Sequence, residues 1–263
     1  MSERMVHSNS QLAKLVDEAA LHATSIAQLT LADPDLSIER AYEVQRASMQ
    51  RRFARGDALV GMKMGLTSKA KMVQMGVHEP IYGHLTASMK RGSGDVLRVS
   101  EHIHPRIEPE IGFILGRELS GPTTALEALD AVEWVVAALE VIDSRYRDFK
   151  FSLADVVADN ASSTRFYLGE TRRRPDELDL GNLGMVVRCD GAVVETGSSA
   201  AILEHPARSL AALANMLHKV GEKLTAGQIV LAGGATAARH VHPEEHIRLE
   251  VAELGDVDVF VEE

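Results

Sequence analysis

The sequence is poor in cysteine and in long apolar runs, and each shortage excludes a class of protein. Cys189 is the only cysteine among 263 residues, which excludes an intrachain disulfide and any cysteine-rich metal site and is typical of a reducing compartment. No run approaches the ~18 consecutive apolar residues of a membrane-spanning helix. The polar start, residues 1–4, lacks the apolar core of a secretory signal. We therefore expect a cytoplasmic protein with no membrane partner.

Basic residues are also in the minority, with 28 of them against 38 acidic residues and a formal net charge of -10. This balance provides no phosphate-neutralising surface, so we expect no nucleic-acid partner. Gly233-Gly234 does not form a dinucleotide fingerprint, and the chain has neither a phosphate-loop Gly-Lys-Ser/Thr sequence nor a Gly-x-Ser-x-Gly nucleophile elbow. Nucleotide-dependent and serine-hydrolase chemistry therefore lose support.

Apolar periodicity divides the chain into a helical beginning and a β-rich remainder. Helical spacing extends from Leu12 to Leu29, and Ser37 suits the N-cap of a second helix that closes near Gly56. Glycine-punctuated β-prone runs follow, at 58–64, 107–115, 185–188 and 229–232, with helical inserts near Thr124 and from Pro206 to Val220. We expect a helical region over 1–57 and a β-rich domain carrying the site over 58–263, joined as one compact unit.

Two glutamates interrupt a run, 104–115, that otherwise has the composition of a buried strand. Because alternate residues of a strand share a face, Glu108 and Glu110 point the same way with their Cα atoms ~6.6 Å apart. Two like charges beside an apolar flank need a compensating cation, and Pro109 between them favours an edge or bulged position near an opening. The pattern favours a metal site over the alternative, a solvated strand face.

Glu140 is a single acid inside the apolar run 134–142, where an unpaired charge is rare. Three carboxylates without matching cysteines describe a hard oxygen site, which suits Mg²⁺ or Mn²⁺ rather than structural zinc. The spacing leaves a second explanation open, a buried salt bridge from Glu140 to Arg145 or Arg106.

Lys63 lies among small and apolar residues at the end of an expected strand. A partly buried ammonium neutralises a substrate carboxylate or enolate, or moves protons. The alternative is a lysine whose stem packs and whose head reaches solvent. A short helix is expected over 68–76, followed by a loop in which His78 or Glu79 either serves as an acid or base on a lid or is simply solvated.

Four motifs in this order resemble the hydratase/decarboxylase branch of the fumarylacetoacetate hydrolase superfamily: GMKMGLT at 61–67, PRIEPEI at 105–111, ALEVIDSR at 138–145 and VADNASS at 157–163. The similarity extends over nearly the whole chain, to residues 233–236. It implies an α+β fold, a mixed β-roll with an N-terminal helical region. It also implies Mg²⁺ or Mn²⁺ bound by Glu108, Glu110 and Glu140, with Lys63 facing the substrate.

Within this branch, residues 104–110 and 142–151 are most similar to the enzymes that act on 2-oxo-3-hexenedioate. The resemblance implies a metal-dependent carboxy-lyase of the meta-cleavage degradation of aromatic compounds, which releases CO2 and 2-hydroxypenta-2,4-dienoate. Hydration of that dienoate is the alternative activity. Hydrolysis of an acylpyruvate and metal binding without catalysis are the less favoured alternatives.

The resemblance also supplies pocket residues and partners. The candidate substrate-binding residues are Arg145, Asp159, Ser162, Thr236 and Glu79. The implied substrate is a small 2-oxo dicarboxylate. We expect a homo-oligomer, and a complex with 2-hydroxypenta-2,4-dienoate hydratase because the dienol product ketonises if left in water.

Overall fold

A computed structural model describes residues 7–68, 72–73 and 79–263. Its helices are α1 (Asn9–Leu21), α2 (Leu29–Ala32), α3 (Ile38–Ala54), α4 (Ala125–Leu129), α5 (Leu153–Ala158) and α6 (Pro206–Lys219). Its strands are β1 (Leu59–Gly65), β2 (Ile81–Thr86), β3 (Lys90–Gly92), β4 (Val96–Arg98), β5 (Arg106–Leu115), β6 (Val132–Ile142), β7 (Ser163–Leu168), β8 (Gly184–Cys189), β9 (Ala192–Ser198), β10 (Ile229–Leu231), β11 (Arg239–His240), β12 (His246–Val251) and β13 (Gly255–Glu262). Most of the helix expected over 68–76, and His78 itself, lie outside the described residues.

Two mixed sheets form the β-rich part. In the larger sheet the strand order is β2-β1-β10-β5-β6-β7-β3, with β11 added beside β5. The smaller sheet has the order β4-β13-β12-β8-β9. Parallel pairs, such as β1 with β10, occur beside antiparallel pairs, such as β5 with β6. This is the α+β architecture, with curled mixed sheets, that the sequence predicts.

The two-residue period of β5 and β6 separates the core from the site. Odd-numbered side chains of these strands, such as Ile111 and Leu139, are buried in one apolar cluster with Leu249 and Val257 of the smaller sheet. The glutamates occupy even-numbered positions and therefore point to the opposite face. Packing of the two sheets thus decides which face of β5 and β6 presents carboxylates.

A second apolar cluster joins the N-terminal helices to α5 and includes Leu12, Val44 and Val157. Helix α3 begins at the predicted N-cap: Ser37 Oγ accepts a hydrogen bond from the backbone N–H of Arg40. The prediction of one helix from Leu12 to Leu29 is wrong: α1 ends at Leu21, and the backbone then bonds in extended fashion to the chain around Tyr146. Ile26, which continues the apolar spacing past Leu21, is half-buried and pairs with Tyr146 through strand-like backbone bonds.

The other predicted elements are confirmed in kind, with ends that shift by one or two residues. The expected strands correspond to β1, β5, β8 and β10, and the inserts correspond to α4 and α6. Thr124 forms a capping box with Glu127 at the start of α4. No helix of the described part is long and apolar enough to cross a membrane.

Candidate active site

Three buried carboxylates converge on the face of the larger sheet that points away from the smaller sheet. Glu108 and Glu110 project from β5, and Glu140 on β6 is the register partner of Glu108. Each residue offers one carboxylate oxygen, and these oxygens all lie within 4.8 Å of one another. The predicted convergence of the three glutamates is confirmed.

The hydrogen bonds of the cluster leave room for a cation. Glu110 Oε2 accepts from the backbone N–H of Gly233 at 2.7 Å, and Glu140 Oε1 accepts from Ser163 Oγ at 2.9 Å. Glu110 Oε1 is buried and has no hydrogen-bond partner among the described residues. Burying a carboxylate oxygen without a hydrogen-bond donor costs free energy, and coordination to a divalent ion would remove this cost.

Lys63 on β1 is the cationic neighbour of this cluster. Its side chain is buried, its Nζ lies 2.8 Å from Glu140 Oε2, and it donates to the carbonyl oxygen of Ala161 at 3.2 Å. Both alternatives raised by the sequence are therefore wrong. Neither Arg145 nor Arg106 pairs with Glu140, and the head of Lys63 does not reach solvent.

Burial and charge compete at these four residues. Burial lowers the pKa of Lys63, but Glu140, Glu110 and Glu108 outweigh it, so the net direction is upward. Burial raises the pKa of Glu110 well above its usual range, and the charge of Glu140 adds to this effect. Burial likewise raises the pKa of Glu140 against the opposing charge of Lys63. Without a metal ion the cluster therefore favours bound protons, and metal binding releases them.

Two glycines bring backbone close to the carboxylates. A Cβ on Gly234 would lie 2.9 Å from the carboxyl carbon of Glu108. Gly233, whose N–H bonds Glu110, has a φ of 110°, and a Cβ there would lie 2.1 Å from Thr67 Oγ1. Only glycine fits both positions, so the 233–234 loop closes one side of the site.

The turn 159–162 supports Lys63 from the other side. Asn160, Ala161 and Ser162 all have positive φ values, which cost free energy for residues other than glycine. The turn persists because buried Asp159 pairs with Arg145 and because the Asn160 side chain bonds the backbone of His84 in both directions. Burial raises the pKa of Asp159 to about 6, with Arg145 opposing.

A cavity with a volume of about 540 Å³ opens beside Lys63 and Glu108. Ser162, a predicted substrate contact, lines it, and Thr236 directly precedes Ala237 and Ala238, which also line it. Two residues of its wall, Arg106 and Phe149, were not assigned to the pocket from the sequence. The signal for Arg106 was present, because it shares the strand face of Glu108 and Glu110.

Three other residues that were predicted to contact the substrate do not line this cavity. Arg145 lines a separate cavity of about 720 Å³ with Arg52 and Arg165. Its guanidinium is occupied by Asp159 and by main-chain carbonyls, so contact with a substrate would require these bonds to break. Asp159 is fully buried under the turn. Glu79 is exposed, with its carboxylate 3.8 Å from Lys219 Nζ.

Comparison with known proteins gives consistent matches. Residues 58–262 match the family model described as fumarylacetoacetate hydrolase C-terminal. A 4-oxalocrotonate decarboxylase from a Pseudomonas species is 49% identical over 248 residues, covering 94% of this chain and 96% of that protein. The 2-keto-4-pentenoate hydratase of Paraburkholderia xenovorans strain LB400 is 37% identical over 248 residues, covering 94% of this chain and 92% of that protein.

A solved structure has the same fold throughout. It is the 4-oxalocrotonate decarboxylase of Pseudomonas putida G7 complexed with magnesium and adipate, which superimposes with a TM-score of 0.95 at 42% identity. The alignment covers 98% of this chain and 100% of that one.

Proposed function

The chain belongs to the fumarylacetoacetate hydrolase family, and from that membership and its site we propose that it decarboxylates 2-oxo-3-hexenedioate, also called 4-oxalocrotonate. The products are CO2 and 2-hydroxypenta-2,4-dienoate, so the enzyme is a carboxy-lyase. The observation that carries the proposal is the placement of a three-carboxylate cation site and a buried lysine beside one cavity. The decarboxylase relative is also more similar to this chain than the hydratase relative.

We assign Glu108, Glu110 and Glu140 as the residues that hold Mg²⁺ or Mn²⁺. The unbonded Oε1 of Glu110, the exclusively carboxylate donors and the close approach of Gly234 support this assignment. When bound, the ion supplies a Lewis acid for the 2-oxo group of the substrate.

Lys63 is assigned to stabilise the charge that develops during decarboxylation. The C5–C6 bond breaks, its electron pair becomes the C4–C5 double bond, and the C3–C4 pair shifts to C2–C3, which leaves negative charge on the ketone oxygen. A proton taken up from solvent then converts this dienolate to the dienol. An ammonium has three donors, and Glu140 and Ala161 occupy two of them. No further acceptor for Lys63 is found among the described residues, so we assign the third donor to that oxygen; stabilisation of charge in the transition state raises the rate.

The remaining wall of the cavity favours loss of CO2 over addition of water. Its apolar residues are Leu66, Ile81, Ile142, Phe149, Phe151 and Val156. Hydration of 2-hydroxypenta-2,4-dienoate would need a positioned water and a proton donor at the distal carbon. Among the described lining residues, we find no neutral acid or histidine that would serve this role.

The test is turnover by the purified chain with 2-oxo-3-hexenedioate and Mg²⁺. We expect stoichiometric release of CO2, formation of the dienol and only slow hydration of that product. Chelation should abolish turnover, and Mg²⁺ or Mn²⁺ should restore it. Rapid hydration without CO2 would favour the hydratase activity, acylpyruvate cleavage would favour the hydrolase, and oxalate binding without any turnover would indicate a non-catalytic metal protein.

We further propose that the chain forms a homo-oligomer and associates with 2-hydroxypenta-2,4-dienoate hydratase in the cytoplasm. Direct transfer would limit ketonisation of the dienol, and the unpaired thiol of Cys189 is compatible with a reducing compartment. Light scattering of the purified chain, alone and mixed with the hydratase at micromolar concentration, tests both associations. A monomer that does not bind the hydratase would contradict them.

A further inference from the structure

Arg106 is a cation of the cavity that the proposed chemistry does not use. It begins β5, two residues before Glu108, and therefore projects from the same face of the strand as the metal-site glutamates. Its guanidinium carbon lies 3.9 Å from the centre of the Phe149 ring, and both residues line the cavity that contains Lys63. The guanidinium thus has an apolar backing on one side and the cavity on the other.

Within the described residues, the guanidinium of Arg106 has no carboxylate partner. No carboxylate of the described chain forms a salt bridge with it, and its Nε is buried with no hydrogen-bond partner in that part of the chain. Arg145, by contrast, is buried and is saturated by Asp159 and by backbone carbonyls. Arg106 as a whole is half-buried, but a buried N–H donor such as its Nε is costly to leave unsatisfied, and an anionic ligand can complete the guanidinium.

We propose that Arg106, supported by the Phe149 ring, binds the distal C6 carboxylate of the dicarboxylate substrate and makes the site selective for diacids. This inference rests on the proposed function. Neighbouring same-face residues of β5 are ~6.6 Å apart, which is close to the length of an extended six-carbon diacid. A substrate whose 2-oxo acid end lies at the three glutamates therefore extends along β5 to Arg106.

The proposal makes Arg106 a binding residue rather than a rate-enhancing one. As the C5–C6 bond breaks, the C6 carboxylate becomes neutral CO2 and its charge moves to the ketone oxygen beside Lys63. The attraction to Arg106 therefore weakens in the transition state. Interactions that are stronger in the ground state affect KM and do not raise kcat.

Steady-state kinetics of Arg106→Gln test this division. Loss of a bidentate, charge-assisted pair should raise KM for 2-oxo-3-hexenedioate at least about tenfold, while kcat falls less than about threefold or increases. Lys150→Gln is the matched control, because the Lys150 amine lines the same cavity but is mostly exposed and pairs only at 3.6 Å with Asp148. We expect a change in KM below about threefold in the control. A fall in kcat with unchanged KM would overturn the proposal.

Ligand binding separates this inference from the proposed activity. Calorimetry with Mg²⁺-loaded protein would compare adipate, hexanoate and oxalate, which differ in the distal carboxylate and in chain length. In Arg106→Gln, adipate should bind at least about tenfold more weakly, with hexanoate and oxalate unchanged. Arg106→Lys should recover part of the adipate affinity, because it retains the charge without the planar fork.

Unchanged adipate affinity in Arg106→Gln, or an equal loss of oxalate and adipate affinity, would overturn the inference. If the wild-type protein releases no CO2 but still distinguishes adipate from hexanoate through Arg106, the proposed function fails while the diacid subsite stands.

Discussion

Glu108 on β5 and Glu140 on β6 lie directly opposite each other across an antiparallel ladder. Like charges in such a cross-strand pair destabilise a sheet, and here both side chains are also buried. Lys63 compensates only part of this charge, because Glu110 joins the same cluster. The cluster therefore destabilises the metal-free fold, and a divalent ion held as proposed would relieve the repulsion among the carboxylates.

Glu110→Gln should separate stability from function. In the metal-free fold Glu110 must either bind a proton that the unfolded chain does not hold at pH 7 or carry a buried charge, and the neutral amide avoids both costs. The metal-free variant should therefore be more stable than wild type by about 1–3 kcal/mol. Mg²⁺ affinity should fall at least about tenfold, with a parallel loss of turnover. Urea denaturation in chelator and calorimetric titration with Mg²⁺ measure the two effects.

Glu262→Gln is the control for this experiment, because Glu262 is exposed and pairs loosely with Arg98 at 3.5 Å. It should leave both stability and Mg²⁺ affinity unchanged. A metal-free Glu110→Gln protein less stable than wild type would show that the cluster is not under electrostatic stress.

The Lys63→Met variant should still bind Mg²⁺ but should lose most of its turnover. Removing a charge beside Glu140 strengthens the attraction between the cluster and a divalent ion, so Mg²⁺ should bind at least as tightly as in wild type. The value of kcat should fall about 10²–10³-fold, as for loss of a donor to a developing oxyanion. Lys223→Met is the control, since Lys223 is exposed and pairs with Glu118 on the surface. Wild-type turnover in Lys63→Met would remove the lysine from the mechanism.

The sequence was sufficient to select the three glutamates that we propose as metal ligands, but not to predict how the fold brings them together. The two-residue period of a strand places Glu108 and Glu110 on one face, and the acid inside an apolar run marks Glu140. The register that sets Glu140 opposite Glu108 depends on packing between the two sheets. The residues around Glu108 and Glu140 carry no sequence pattern that reveals this long-range packing.

The same limit applies to the cations. Lys63 reaches Glu140 because β1 pairs in parallel with β10, whose residues lie about two thirds of the chain away in sequence, and β10 pairs with β5. Arg145 and Asp159 were both assigned to the substrate from motif similarity. Their mutual pairing beneath the turn depends on a tertiary contact that spacing does not reveal.

Asp159→Asn should show how much the pairing with Arg145 stabilises the turn. Removing the charge of one partner of a buried ion pair leaves the other uncompensated, so we expect destabilisation of about 3 kcal/mol. Turnover should fall as well, because the turn carries Ala161 and Ser162 at the cavity. The midpoint of urea denaturation reports the change. Glu118→Gln breaks an exposed pair and should cost less than about 1 kcal/mol; equal effects of the two variants would contradict a structural role for the buried pair.

His84 should make the fold less stable in mild acid. Its ring is buried on β2, and burial lowers its pKa to about 4, with the Asn160 contact opposing and Arg46 adding to the shift. The unfolded chain binds the proton near pH 6.5, so between pH 6.5 and 4 the unfolded state holds more protons and stability falls as the pH falls. At pH 5 the loss should be about 2 kcal/mol relative to pH 7.5.

His84→Gln removes this titration and should reduce the difference in unfolding free energy between pH 7.5 and pH 5 by about the same 2 kcal/mol. Urea denaturation of both proteins at the two pH values measures it, with His22→Gln as the control because His22 is exposed on the surface. The control should keep the wild-type pH dependence. If His84→Gln keeps it too, the buried imidazole is not the group that couples folding to protons, and the support that β2 gives to the 159–162 turn is independent of pH in this range.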